Sequence, residues 1–277
     1  MTDLLDLTGI ITLRDKILRL LDLTVGISNG SIPDQIKAKL KRKQLMDQIN
    51  ECPQLKHICI FGSLSQYTFI NVINKAHPEI KEYPNAKSAC TFIATNFGLK
   101  LLSITDKNLQ LGINSKLIDD ELKIGIELHN NTGEEHTSVE EYLNAVPTNK
   151  KFKKDAGVST FINGITDETG IPYIDQLLTN LDRSIKTDKL TLIVLTKGNI
   201  SLSIILILNN PQKFSIFDSH GNTNKFCSEG ASYIIYDDNN LIDTLNKYFN
   251  IEPFTEEERL DDTIRQLNQI DYTVFQL

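Results

Sequence analysis

Cys90, Asp218 and His220 are the residues of this chain whose types and spacing suit chemistry. Cys90 stands in Asn85-Ala-Lys-Ser-Ala-Cys-Thr-Phe-Ile-Ala-Thr-Asn-Phe-Gly98, where a polar loop turns into an apolar periodic run. Taken alone, a cysteine there also fits a small buried apolar residue at a helix start. Asp218 and His220 close the strand-like run Phe214-Ser-Ile-Phe-Asp-Ser-His-Gly221. Side chains alternate along a strand, so Phe214, Ile216, Asp218 and His220 share one face, and Ser215, Phe217 and Ser219 share the other. A carboxylate beside a histidine fixes its tautomer and supports its charge. If that face packs against the helix opened by Cys90, the imidazole reaches the thiol. A helix N-terminus and an imidazolium each favour the thiolate, the form that attacks. The chemistry expected of such a set is nucleophilic thiol catalysis.

The elements that must hold these residues follow from periodicity. Lys56 to Leu64 reads as a short strand with a Phe-Gly-Ser turn, and Tyr67 to Ala76 as a helix ending before Pro78. Thr91 to Leu102 carries Phe92, Ile93, Phe97, Leu101 and Leu102 at near-helical intervals, which predicts a buried helix. In the mixed middle of the chain, Leu117 to Leu128 and Ser138 to Ala145 read as helices, the second capped by Thr137 or Ser138 with acids in its first turn. Ile171 to about Lys186 reads as a helix with proline near its first turn. Leu190 to Thr196, Ile200 to Leu208 and Lys213 to Asp218 are separated by turn signals and predict an antiparallel meander, with Ala231 to Tyr236 a fourth strand. Asn240 to Phe249 and Thr255 to about Leu267 read as helices, the latter with Thr255 and Glu258 spaced as a capping box. The expected class is α+β, a helical front half with an antiparallel sheet behind it. Residues 1–54 read as a helical extension, built on Leu13 to Leu21 and a lysine-rich run from Pro33 to Asn50, and residues 55–277 as the main domain.

Bulk properties narrow the function. The 277 residues carry a net charge of −7, which argues against nucleic acid as the main ligand, because phosphate binding needs a basic surface. No run of eighteen apolar residues suits a membrane span, and the acidic N-terminus lacks the basic region of a secretory signal. An intracellular, cytoplasmic protein is expected. The four cysteines (52, 59, 90 and 227) form no CxxC, so no structural zinc site is expected and the thiols are read as free. Cys59 reads as core, Cys52 as a loop thiol, and Cys227 precedes no clear helix. His129-Asn-Asn-Thr-Gly-Glu-Glu-His136 lacks HExxH geometry and reads as a solvated loop rather than a metal centre. P-loop, GxGxxG and GxSxG sequences do not occur, and no cofactor is expected.

A helix-start cysteine followed roughly 130 residues later by a strand-borne histidine is the order of papain-like proteases. The fuller order adds the meander, Phe-Ser-Ile-Phe-Asp-Ser-His-Gly, the strand Ala-Ser-Tyr-Ile-Ile-Tyr and the helix Asn-Asn-Leu-Ile-Asp-Thr-Leu. Over about residues 55 to 250 this resembles the ubiquitin-specific cysteine protease domain of herpesvirus large tegument proteins and related deubiquitinases. The resemblance implies a papain-like architecture, with Cys90 as nucleophile, His220 as general base and acid, and Asp218 as the orienting residue. It implies ubiquitin or polyubiquitin chains as partner and hydrolysis of the bond after ubiquitin's C-terminus. The acidic balance suits the arginine-containing tail of ubiquitin, with Asp167, Glu168 and Asp175 as candidate contacts. It also implies an oxyanion glutamine about a dozen residues before the cysteine. Here Ala89 precedes Cys90, no glutamine lies between Gln66 and Cys90, and His77 falls near the expected position, with Asn85 a nearer amide. Two alternatives are a papain-like protease for another ubiquitin-like modifier and a degenerate protease scaffold that binds ubiquitin or a host protein.

Overall fold

A computed structural model of the chain describes residues 36, 39–43, 57–76, 86–105, 109, 112–160, 186, 188–207, 213–221, 229–237, 241–249, 261, 263 and 269–277. In chain order the elements are β1 (Ile58–Phe61), α1 (Gln66–Ala76), α2 (Cys90–Ile104), α3 (Ser115–Asn130), α4 (Val139–Ala145), β2 (Lys153–Thr160), β3 (Leu190–Lys197), β4 (Ile200–Ile207), β5 (Phe214–Asp218), β6 (Ser232–Tyr236), α5 (Leu241–Tyr248) and β7 (Gln269–Phe275). Among the described residues seven strands form one sheet in the order β1-β6-β5-β4-β3-β7-β2. Every neighbouring pair in it is antiparallel. The class is α+β.

The central strands explain the layering. In β3 and β4 the interior residues are buried on both faces, as their nearly continuous apolar runs require, so both sides of the sheet must be covered. One core joins Phe92, Phe97 and Leu101 of α2 to Leu192, Val194, Ile205 and Phe217. The other joins Leu241, Leu245 and Tyr248 of α5 to Ile193, Leu202, Ile204, Phe214 and Ile216 on the opposite face. The sheet is therefore a middle layer rather than the rear of a helical half. Two of its strands, β1 and β2, come from the first 160 residues.

Helix α2 is the spine of the site. Eleven residue positions from Cys90 to Leu102 are buried along it, so it is wrapped on nearly all sides. It packs on the sheet through the Phe97 and Phe217 rings, 4.0 Å apart. On its other side, Gly125 of α3 lets the two helices meet, since a Cβ there would lie 2.6 Å from the Ile93 Cα. Local capping fixes the flanking helices: Asn114 accepts from the Leu117 N–H at the start of α3. Ser138 and Glu141 form the reciprocal capping box of α4, in line with the sequence.

Strands β2 and β7 were not expected from the sequence. Lys153-Lys-Asp-Ala-Gly-Val-Ser-Thr160 has almost no apolar pattern, in keeping with its place at the edge of the sheet, where among the described residues it pairs with β7 alone. The expected helices at 171–186 and in the first 35 residues, and most of that at 255–267, lie outside the described residues, as do Asp167, Glu168 and Asp175. Of the lysine-rich run, residues 36 and 39–43 are helical and exposed.

Candidate active site

Cys90 is the first residue of α2, preceded by the single turn Ala86–Ser88, and it is only 6% exposed. Its Sγ lies 3.4 Å from the Asn199 carbonyl oxygen and 3.7 Å from Ser201 Oγ. Both belong to the β3–β4 hairpin, whose tight turn uses Gly198 at φ 59°. The thiol thus faces the end of the sheet, where β4 begins and β5 finishes.

Asp218 is the last residue of β5, and its carboxylate accepts from three donors. Oδ1 takes the His220 backbone N–H at 2.9 Å and pairs with His220 Nδ1 at 2.5 Å. Oδ2 accepts the hydroxyl of Tyr248 from α5. Burial works against ionisation of Asp218, but the charge and hydrogen bonds of His220, with the Tyr248 bond, outweigh it and hold the carboxyl below its ordinary range. The arrangement directs Nε2 of His220 away from the carboxylate. Nε2 is closed off from solvent and forms no hydrogen bond of good geometry. The ring and the Cys90 thiol are coupled electrostatically, each favouring the charged form of the other.

The route by which the imidazole reaches the thiol differs from the expectation. Alternation puts Asp218 with Phe214 and Ile216 on the face covered by α5, not on the face that meets α2. Pairing in β5 stops at Asp218, opposite Leu202 and Ser232. Beyond it the chain bends through Ser219 and His220 into Gly221, which has φ 69°. A Cβ on Gly221 would strike the Glu229 carbonyl oxygen at 2.1 Å, so the bend needs glycine on both counts. The strand rule ends with the strand, and His220 approaches Cys90 around the end of the sheet.

Electrostatics favour an ion pair. Burial opposes the Cys90 thiolate, but hydrogen bonding and charge from His220, with hydrogen bonds from Ser201, bring the thiol below its ordinary value. Burial also opposes the imidazolium, and the Asp218 charge and hydrogen bond, with Cys90, overcome it and raise His220 to about 11. Each charge is stabilised by the other.

Besides Ser201, sequence reasoning passed over three residues that build this site. Gln66, fully buried at the start of α1, donates from Nε2 to the Lys87 carbonyl at 2.6 Å and accepts from Ser219 Oγ at 2.6 Å. Its backbone N–H donates to the Ser219 carbonyl. One side chain thus ties the turn before Cys90 to the residue before His220. Asp119 of α3 pins the loop leading to Gln66, accepting from the Ser63 and Leu64 backbone N–H groups and the Ser63 hydroxyl. Tyr248 is the third. None of these contacts leaves a local sequence signal, since each joins distant segments; the one clue was a polar Gln66 at a helix start. His77, Asn85, Cys52 and Cys227 lie outside the described residues.

Elsewhere, His129 corrects the solvated-loop reading. It sits in the last turn of α3, fully buried, edge-on to Phe92 at 5.4 Å. His136 alone of that pair is exposed. Among the described residues no three His, Cys, Asp or Glu side chains group to hold a metal. Cys59 is partly buried in β1, and burial pushes its thiol up to about 12, which leaves it unreactive. No helix among the described residues is long and apolar enough to cross a membrane. No family model matches the chain, and no curated protein matches it.

Proposed function

We propose that this chain is a cysteine-type deubiquitinase of papain-like architecture, hydrolysing the peptide or isopeptide bond after the C-terminus of ubiquitin. The observation that carries the reading is the arrangement at one end of the sheet: Cys90 opens α2, and His220, held through Nδ1 by Asp218, is coupled electrostatically to that thiol. The choice of ubiquitin as substrate rests on the resemblance to tegument-type proteases and on the acidic balance of −7.

In the mechanism, the Cys90 proton passes to His220 Nε2 and the thiolate attacks the carbonyl carbon of the terminal glycine. Charge develops on the carbonyl oxygen near the backbone N–H groups that open α2, where the helix dipole favours an anion. The Gln66 amide has a second N–H beyond the one given to Lys87, and it is the side-chain donor we assign to that oxygen alongside them. The imidazolium then protonates the departing amine and a thioester remains on Cys90. Neutral His220 next takes a proton from water, which attacks the thioester and releases the ubiquitin carboxylate. Asp218 keeps the tautomer and stays ionised throughout. Tyr67, 41% exposed, has its ring 5.6 Å from that of His220 and is the exposed aromatic beside the pair.

The burial of both Cys90 and His220 favours a second reading, a protease scaffold used only for binding. Turnover separates the two. The full chain should release a fluorogenic amine from the ubiquitin C-terminus, and Cys90→Ala and His220→Ala should not. Binding of ubiquitin without turnover by the wild type would establish the scaffold reading. Turnover of another ubiquitin-like modifier in place of ubiquitin would move the substrate and keep the chemistry.

A further inference from the structure

We infer that Ser201 is the thiolate-stabilising residue of this site: its hydroxyl, oriented by Thr91 and Thr196, donates to Cys90 Sγ when the thiol ionises. The inference rests on Cys90 being the nucleophile, and it adds a residue that the Cys-His-Asp set does not contain.

Ser201 Oγ lies 3.7 Å from Cys90 Sγ, 2.9 Å from Thr91 Oγ1 and 2.8 Å from Thr196 Oγ1. The three hydroxyls come from both partners of the packing. Thr91 follows Cys90 in α2, while Thr196 and Ser201 face each other across the β3–β4 pair. Ser201 and Thr91 are buried, so this cluster is polar chemistry inside an otherwise apolar interface. The next serine on that strand face, Ser203, is used differently: its hydroxyl donates to the Ala94 carbonyl at 2.5 Å, a purely structural bond.

Proton counting gives the cluster its direction. A hydroxyl has one proton and two lone pairs. In the neutral state the thiol proton is donated to the Asn199 carbonyl, and the Ser201 proton turns toward a threonine. On ionisation the thiol proton goes to His220 Nε2. The Asn199 carbonyl, an acceptor only, then has nothing to offer the sulfur anion. Ser201 rotates to donate to Sγ, and the Thr91 and Thr196 protons fill its two lone pairs. Every proton then has an acceptor, and a donor that itself accepts two hydrogen bonds is polarised toward the anion. Asn199 therefore favours the thiol and Ser201 the thiolate.

The test is the pH profile of Cys90 alkylation by iodoacetamide in the full chain, resolved from the other thiols by peptide mass. Ser201→Ala should slow alkylation at neutral pH by about tenfold and move the profile to higher pH, as loss of a hydrogen bond to a charged group predicts. Ser201→Thr, which keeps a hydroxyl, should restore most of the rate, and Thr196→Val should give a smaller shift in the same direction. A purely structural serine would leave the profile of the folded Ser201→Ala protein in place, and that result would overturn the inference. Should that variant fail to fold by circular dichroism, an unmoved profile for Thr196→Val overturns it instead. Alkylation needs no ubiquitin, so a wild type inert to ubiquitin substrates with a shifted Ser201→Ala profile removes the substrate assignment and leaves Ser201 in place.

Discussion

Three donors converge on the Asp218 carboxylate, and their removal should be read separately from the loss of the thiol. Asp218→Asn should lower kcat by about 10²–10⁴-fold, because the imidazole loses both its tautomer and its counter-charge. Tyr248→Phe removes one charge-assisted bond and should cost about 1.5–3 kcal/mol in urea unfolding, with a smaller fall in kcat. The pH dependence has a definite sign. His220 is raised from 6.5 to about 11, so its contribution to stability is complete below pH 6.5 and is lost as pH rises toward 11. Asp218 is depressed below 3.8, so its contribution is present above that value and is lost as pH falls through the folded pKa. The Tm gap between wild type and His220→Gln should therefore narrow steadily from neutral to alkaline pH. At this scale Cys90, Asp218 and His220 were legible because each sits at the boundary of a strongly periodic element. Gln66, Ser201 and Tyr248 were not, because their meaning lies in partners far along the chain.

At the scale of elements, the closeness of α2 and α3 decides how firmly the thiol is held. Gly125→Ala places a Cβ against the Ile93 backbone and should cost about 1–3 kcal/mol, as overpacking does, with Tm as the readout. The same interface carries a buried titratable group. His129 has neither ring nitrogen paired, and it packs beside Phe92 with His136 and Glu141 as its charged neighbours. Burial, then the His136 charge, hold its pKa below 6.5, against a smaller opposite pull from Glu141. The folded state thus binds fewer protons than the unfolded one. The stability from neutral His129 is complete above pH 6.5 and is lost as pH falls through the folded pKa. Urea unfolding at pH 7.5 and pH 5 should show this loss in the wild type, and His129→Phe should show a smaller one. Helix limits and the β3–β4–β5 meander were readable because caps, turns and apolar periodicity agree there. β7 was also readable in principle, since Gln-Ile-Asp-Tyr-Thr-Val-Phe alternates with period two, whereas edge strand β2 carries no such pattern.

At the scale of the whole molecule, among the described residues, the sheet has α2 and its neighbouring helices on one face and α5 on the other, and the candidate site forms where three segments meet at its end: the start of α2, the β3–β4 hairpin and the exit of β5. Composition could indicate an α+β class and a meander, but not which face each helix covers. Asp218 shows why: the strand rule grouped it correctly with Phe214 and Ile216, and only the packing of α5 reveals that this face turns from the Cys90 helix. The acidic charge of −7 bears on substrate capture. If it draws in a basic tail, KM should rise with ionic strength while kcat stays level, since screening acts on encounter and not on the buried pair. The most direct measurement of the central claim is reaction of the full chain with ubiquitin bearing a C-terminal electrophile, followed by mass mapping of the adduct. We predict a single ubiquitin adduct on Cys90, abolished by Cys90→Ala and slowed by His220→Ala. No adduct on the wild type, or an adduct mapped to Cys227, would contradict it.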